Sequence, residues 1–250
     1  MTTTSTPTTK PLTPNYGIDA PSVLRNLLLA GAACLAIAIF FPPRIHFGTV
    51  SVVTRSFFWP AGFLIGEGLL FLFYVKVGKL WHRDKMLSLI SWRGDERVLD
   101  VGCGRGLLLI GAAKHLTTGH ATGIDLWSNV DMGNNSSEAT QRNLEIEGVA
   151  DHCTVLSIPA QDMTFPDGAF DIILSNLCIH NIYDRPTRLA ALRQIARVLA
   201  PGGTALISDY KRTNEYFEEF RASGLQVEKR RGSIIATFPP LTVIIARKPS

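Results

Sequence analysis

A chain of 250 residues has room for one α/β domain of ordinary size and one further element, since domains run about 100 to 200 residues. Hydrophobic residues make up 46% and charged residues 18%, below the roughly 25% charged that is usual for soluble chains. Part of the surface is therefore expected to lie in lipid. The net charge of +4 comes from dispersed basic residues, with short clusters near 76–85 and 228–231, which argues against a nucleic-acid partner. The cysteines Cys34, Cys103, Cys153 and Cys178 lie far apart. Their spacing offers no metal site and reads as reduced cytosolic thiols.

Residues 1–22 are rich in Thr and Pro and nearly devoid of large aliphatic side chains, so a disordered tail is expected. Residues 23–78 then carry two apolar segments. Leu27 to Phe41 covers about 22 Å as a helix, and more if Arg25 snorkels; Phe57 to Val75 covers about 28 Å. Together they predict a helical hairpin through the membrane. Lys10 and Arg25 precede it and Lys76, Lys79, Arg83 and Lys85 follow it, against Arg44 and Arg55 in its loop, so both ends are placed in the cytoplasm. Glu67 is the one charge in the second segment and is costly there unless paired, hydrated or protonated. Arg25 or a substrate headgroup are its candidate partners.

From residue 79 to 250 the pattern alternates between strands and helices. Helices are expected at 79–92, 107–116, 136–148, 185–200 and 213–222, and strands at 97–102, 120–126, 153–160, 170–177, 202–210, 225–229 and 241–246. The Gly202-Gly203 pair is expected to end the fourth of these helices. Such alternation predicts a doubly wound, mostly parallel, seven-stranded Rossmann-like sheet with an antiparallel C-terminal strand.

The first strand and the turn after it read VLDVGCGRG, residues 98–106. In an open parallel sheet the first strand-to-helix turn meets the ligand, and glycines at 102, 104 and 106 let backbone approach it closely. A dinucleotide fingerprint would need a third glycine where Leu107 stands, which argues against a nicotinamide oxidoreductase. About twenty residues on, Asp125 ends the second strand, where a carboxylate accepts hydrogen bonds from a ribose.

This combination resembles the class I S-adenosylmethionine-dependent methyltransferases over most of residues 80–250. The resemblance implies S-adenosylmethionine as cofactor, with Gly102, Gly104 and Gly106 around it and Asp100 organising the turn. It also implies Asp125 on the ribose, Leu126 and Trp127 flanking the adenine, Asp162 on the adenine amino group and Met163 beside the ring. Asn176, a further cofactor-binding candidate, lies at the end of the fourth strand, which in this fold faces the methyl group and the acceptor.

His180 is the candidate base where the acceptor must lose a proton, since an ordinary imidazole titrates near physiological pH; a positioning or packing role is the alternative. Asp209 and Tyr210 end another strand and are candidates to line the same pocket. The polar stretch 127–137, containing Asp131, reads either as an acceptor-recognition lid or as a connection into a helix capped near Asn135, with Glu138 completing a capping box. The expected function is a membrane-anchored, multi-pass methyltransferase with its catalytic domain in the cytoplasm. Its acceptor would be a small molecule or lipid-like, with no metal and no nucleic acid involved. The alternative is a non-catalytic membrane scaffold that keeps a nucleoside-binding fold.

Overall fold

The computed structural model describes residues 12–128, 135–232 and 236–250. Helix α1, Pro21–Phe40, starts at a proline whose fixed φ suits a first turn, and stops where Phe41 turns extended ahead of Pro42 and Pro43. Strands β1, Arg44–Phe47, and β2, Val50–Val53, pair antiparallel across Gly48 and Thr49. A 3-10 turn, Thr54–Phe57, leads into α2, Phe58–Phe73; a π-helical turn at Tyr74–Gly78 joins this to α3, Lys79–Leu87. The result is one continuous rod, Thr54–Leu87, of 34 residues.

Glycines let α1 and α2 approach closely: a Cβ on Gly31 would meet Ile65 Cγ1 at 2.7 Å, and one on Gly68 would meet Leu28 Cδ2 at 2.6 Å. Arg55 Nη1 closes the far end by donating to the Ala38 carbonyl at 2.7 Å. By length and composition both long helices qualify as membrane spans, and only 17% and 28% of their most apolar windows are buried. A core helix of a soluble protein would be mostly covered. Trp59 (84% exposed) and Phe40 (81%) stand bare instead.

The remaining chain forms the α/β unit. Its elements are β3 (Arg97–Val101), α4 (Leu107–Ala113), β4 (His120–Ile124), α5 (Ser137–Ile146), β5 (Cys153–Leu156) and β6 (Phe170–Asn176). They continue as α6 (Arg185–Val198), β7 (Leu199–Asp209), α7 (Thr213–Ala222), β8 (Gln226–Arg231) and β9 (Thr242–Arg247). The sheet order is β5-β4-β3-β6-β7-β9-β8. β9 runs antiparallel to both neighbours, β7 and β8. Strand order reverses between β3 and β6, and a crevice opens at the carboxyl ends there.

Along β3 the side chains alternate: Leu99 and Val101 pack on one face with Ile173, Leu192 and Phe220, while Val98 packs on the other with Leu109, Ile110 and Leu174. Both faces are dry, which explains the unbroken apolar runs of the central strands.

The hairpin docks on the crevice edge. Phe71, Tyr74 and Val75 cluster with Ile18, Leu24, Leu177 and Phe238, and His82 Nε2 lies 2.7 Å from Ser208 Oγ at the end of β7.

Several expectations are corrected. Residues 15–19, expected within the disordered tail, form an ordered strap: Asn15 N donates to Asn143 Oδ1 at 2.9 Å, and Tyr16 Oη donates to Glu147 Oε1 at 2.7 Å. A segment with no core of its own gains order from long-range polar partners. Helix α6 ends at Val198, and Pro201–Gly203 lie inside a bulged β7 rather than ending the helix. Helix α3 ends at Leu87 rather than Trp92. The cap of α5 is Ser136, whose hydroxyl accepts from Ala139 N, rather than Asn135. Among the described residues Glu67 has no ion pair with Arg25, which donates to Asn26 instead. Asp131 lies outside the described residues.

Candidate functional site

The glycine turn is sewn to the neighbouring strand. Gly102 N and Cys103 N both donate to the Ile124 carbonyl, at 2.8 and 3.1 Å. Gly102, Gly104 and Gly106 have φ of +72°, +51° and +85°. At Gly102 the requirement is double, because a Cβ there would also run into Cys178.

Asp100, 1% exposed, accepts from Leu109 N at 2.9 Å and so ties the end of β3 to the first turn of α4. Burial pushes its carboxyl up to about 8, and burial also raises the neighbouring Cys103 thiol. Burial thus favours the protonated, uncharged form of both groups.

Asp125 Oδ2 accepts from Gly104 N at 2.8 Å, and Oδ1 accepts from Trp127 N at 2.7 Å. The carboxylate thus bridges the glycine turn and the next turn, and Oδ1 also accepts from Asn135 Nδ2 at 3.3 Å. Leu126 is 63% exposed beside it. Trp127, at φ +58°, is pinned by Nε1 donating to Ser157 Oγ at 2.7 Å. Asp162 is exposed in the turn after β5, its N–H donating to the Pro159 carbonyl. Met163 is 4% exposed and packs in the main core.

Beyond β6, Leu177 takes φ +54° and turns the chain into a short helical segment, Ile179–Asn181. This sets His180, 7% exposed, beside Asp209, which is fully buried. His180 Nδ1 lies 2.8 Å from Asp209 Oδ1, without the alignment of a hydrogen bond, so Nδ1 is unpaired as a hydrogen-bonding atom. Asp209 Oδ2 accepts from His180 N at 3.2 Å and from Tyr216 Oη at 3.0 Å. Tyr210 stands edge-on to the His180 ring, centroids 4.8 Å apart, and is 42% exposed.

The crevice is also lined by residues that sequence reasoning did not single out for it. Tyr16 and Asp19 come from the strap, Tyr74 and Lys79 from the rod, and Arg105 from the glycine turn; Asn176 faces them. Lys79 is visible in the sequence only as one of the basic residues after the second apolar segment. Nothing in the tail marks Asp19. Among the described residues Arg105 Nε and Asn176 Oδ1 are buried without a hydrogen-bond partner, although buried polar atoms are ordinarily satisfied. Orphaned donors and acceptors around a glycine cradle, with a carboxylate at the ribose position, fit a polar nucleoside ligand such as S-adenosylmethionine.

Residues 99–207 match the family described as a methyltransferase domain. Over 151 residues the chain is 34% identical to a phosphoethanolamine N-methyltransferase of Triticum aestivum, covering 60% of this chain and 27% of that protein. Over 142 residues it is 28% identical to a ubiquinone/menaquinone biosynthesis C-methyltransferase of Vibrio vulnificus, covering 54% and 49%. A SAM-dependent methyltransferase from Aquifex aeolicus shares the fold at a TM-score of 0.53 and 20% identity, over 66% of this chain and 88% of that one. The chain therefore spans from 27% to 49% of the length of these two curated relatives.

Proposed function

We propose that this chain, whose residues 99–207 form an S-adenosylmethionine-dependent methyltransferase domain, is held in a membrane by its α1–α2 hairpin. There it methylates a small-molecule or lipid-like acceptor at the cytoplasmic face. The observation that carries the reading is the docking of the hairpin on the crevice: Tyr74 and Lys79 of the rod line it, and Phe71 and Val75 pack with Leu177 just beyond β6. A crevice walled by the end of an apolar hairpin opens beside the bilayer surface once the hairpin is embedded. The cytoplasmic assignment rests on the basic residues that flank the hairpin's ends.

When bound, the cofactor supplies a methyl group on a sulfonium, already activated for in-line displacement. The chain's own work is positional: Asp125 and the glycine turn orient the nucleoside half, and Asn176 Oδ1 offers an acceptor where β6 ends. Holding an acceptor atom in line at near-attack distance is worth up to about 7 to 11 kcal/mol in favourable cases. Asp209 holds the buried His180 ring from the Nδ1 side. In the tautomer that carries its proton on Nδ1, Nε2 is the ring nitrogen that accepts a substrate proton. Tyr210, half-exposed against the ring, forms the rim that a substrate would touch.

The two curated relatives are an N- and a C-methyltransferase, so their shared feature is the cofactor half of the site. The acceptor is best sought directly. The detergent-solubilised chain is incubated with methyl-labelled S-adenosylmethionine and, separately, with lipid, metabolite and protein fractions. Label entering the lipid fraction supports the reading, and label confined to protein overturns it. Label confined to soluble metabolites overturns its lipid-like branch.

A further inference from the structure

The crevice contains an ion pair that plays no part in proton removal. Lys79 Nζ lies 3.4 Å from Asp19 Oδ2 and donates to the carbonyls of Tyr16 at 2.9 Å and Gly17 at 2.7 Å. The Lys79 side chain is 6% exposed and that of Asp19 21%. Arg105 shares the crevice, its Nε buried and unpartnered. Asp19 and Lys79 lie outside residues 99–207, the part of the chain that the methyltransferase family accounts for.

One half of S-adenosylmethionine is an adenosine, which the resemblance to the family assigns to Asp125 and Asp162. The other half is an amino acid, carrying an α-ammonium and an α-carboxylate at neutral pH. The crevice offers the complementary set: the Asp19 carboxylate at its edge and two cations, with the buried Asp100 carboxyl behind them. We propose that Asp19, Lys79 and Arg105 form the receptor for this zwitterion, Asp19 accepting from the ammonium and the Arg105 Nε–H and Lys79 ammonium donating to the carboxylate. The inference rests on the reading of the crevice as an S-adenosylmethionine site. The long Lys79–Asp19 contact is the one that yields to the ligand, while the two carbonyl contacts keep the strap in place.

The location of these residues has a consequence. Asp19 sits two residues before α1 begins and Lys79 is the first residue of α3, so the two ends of the hairpin close the amino-acid side of the cofactor pocket. Seating the cofactor and docking the hairpin then support one another.

A ligand pair tests this. S-adenosylhomocysteine carries the zwitterion, whereas 5′-methylthioadenosine has the same thioether nucleoside without it. Both are titrated calorimetrically into the full chain in detergent, as wild type and as Asp19→Asn, Arg105→Gln and Lys79→Met. Each variant is expected to weaken S-adenosylhomocysteine about 10- to 100-fold, the worth of one charge-assisted hydrogen bond. 5′-Methylthioadenosine should stay within about 2-fold, because the nucleoside half is untouched. Equal losses for both ligands would make the cluster a latch for the strap and nothing more, and overturn the proposal. So would unchanged binding of both ligands by Asp19→Asn and Arg105→Gln, neither of which removes the Lys79 contacts to the strap. If wild type bound neither ligand, the cofactor reading itself would fail, which is a separate outcome.

Discussion

Gly102→Ala perturbs the cofactor cradle at its tightest point. Gly102 holds φ +72°, and an L-residue pays about 1–2 kcal/mol for the left-handed region. The added Cβ also overlaps both Cys178 Sγ and Cys178 Cβ, so the chain just after β6 must shift; overpacking of this kind costs about 1–3 kcal/mol. Together the substitution should destabilise by about 2–5 kcal/mol, a large share of the roughly 5–15 kcal/mol typical of a folded domain. At about 2–4 °C per kcal/mol for a domain near this size, thermal unfolding should start some 4–20 °C lower, and S-adenosylhomocysteine affinity should fall. The double variant Gly102→Ala/Cys178→Gly removes both overlapping atoms. It should recover the overpacking part and leave the backbone part, giving a coupling of about 1–3 kcal/mol in a double-mutant cycle. A single variant within about 0.5 kcal/mol of wild type, with no coupling to Cys178, would refute the tight turn on which the cradle depends.

Asp100 gives a pH signature. Its carboxyl is raised to about 8 by burial, so the folded chain binds a proton that the unfolded chain releases near pH 4. Stability from this group is therefore greatest below about pH 4 and falls by up to about 1.4 kcal/mol per pH unit as pH rises toward 8. Denaturation at several pH values should show this slope in wild type and its loss in Asp100→Asn. His180→Ala should lower kcat by about 10²- to 10⁴-fold where the acceptor carries a proton, with little change in S-adenosylhomocysteine affinity; equal loss of both would make His180 a packing residue. Gly68→Leu drives a large side chain into Leu28. It should cost about 1–3 kcal/mol and weaken cofactor binding, because the rod that carries Lys79 into the crevice is displaced; thermal shift and titration read the two effects.

The glycine turn and the acids beside it were legible as one cluster because their spacing is local. Apolar runs, the glycine spacing and an acid at the end of each of the first two strands sit within thirty residues, and the structure sews them together through Ile124 and Asp125. The mostly parallel pairing of the sheet followed from the alternation of its strands with helices. Long-range partners were not legible. The strap at 15–19 has no periodicity and is held by Asn143, Glu147 and Lys79, which are distant in sequence. The continuity of α2 into α3 was not legible, because the apolar run ends at Val75 and a more polar helical pattern begins at Lys79; in the structure Gly78 between them lets the rod pass against the Ala236 carbonyl. The hairpin of β1 and β2, four residues a strand, is too short for a pattern. Asp209 was visible as the end of a strand, but its contact with His180 depends on β6 and β7 lying in register.

The most direct test is calorimetric titration of the full chain in detergent with S-adenosylhomocysteine, as wild type and as Asp125→Ala. One equivalent bound per wild-type chain is predicted. In Asp125→Ala, with thermal unfolding confirming a folded protein, affinity should be lost by at least about 100-fold, the worth of two charge-assisted hydrogen bonds to the ribose. A wild-type chain that binds none, or a folded Asp125→Ala that binds as tightly as wild type, would contradict the account.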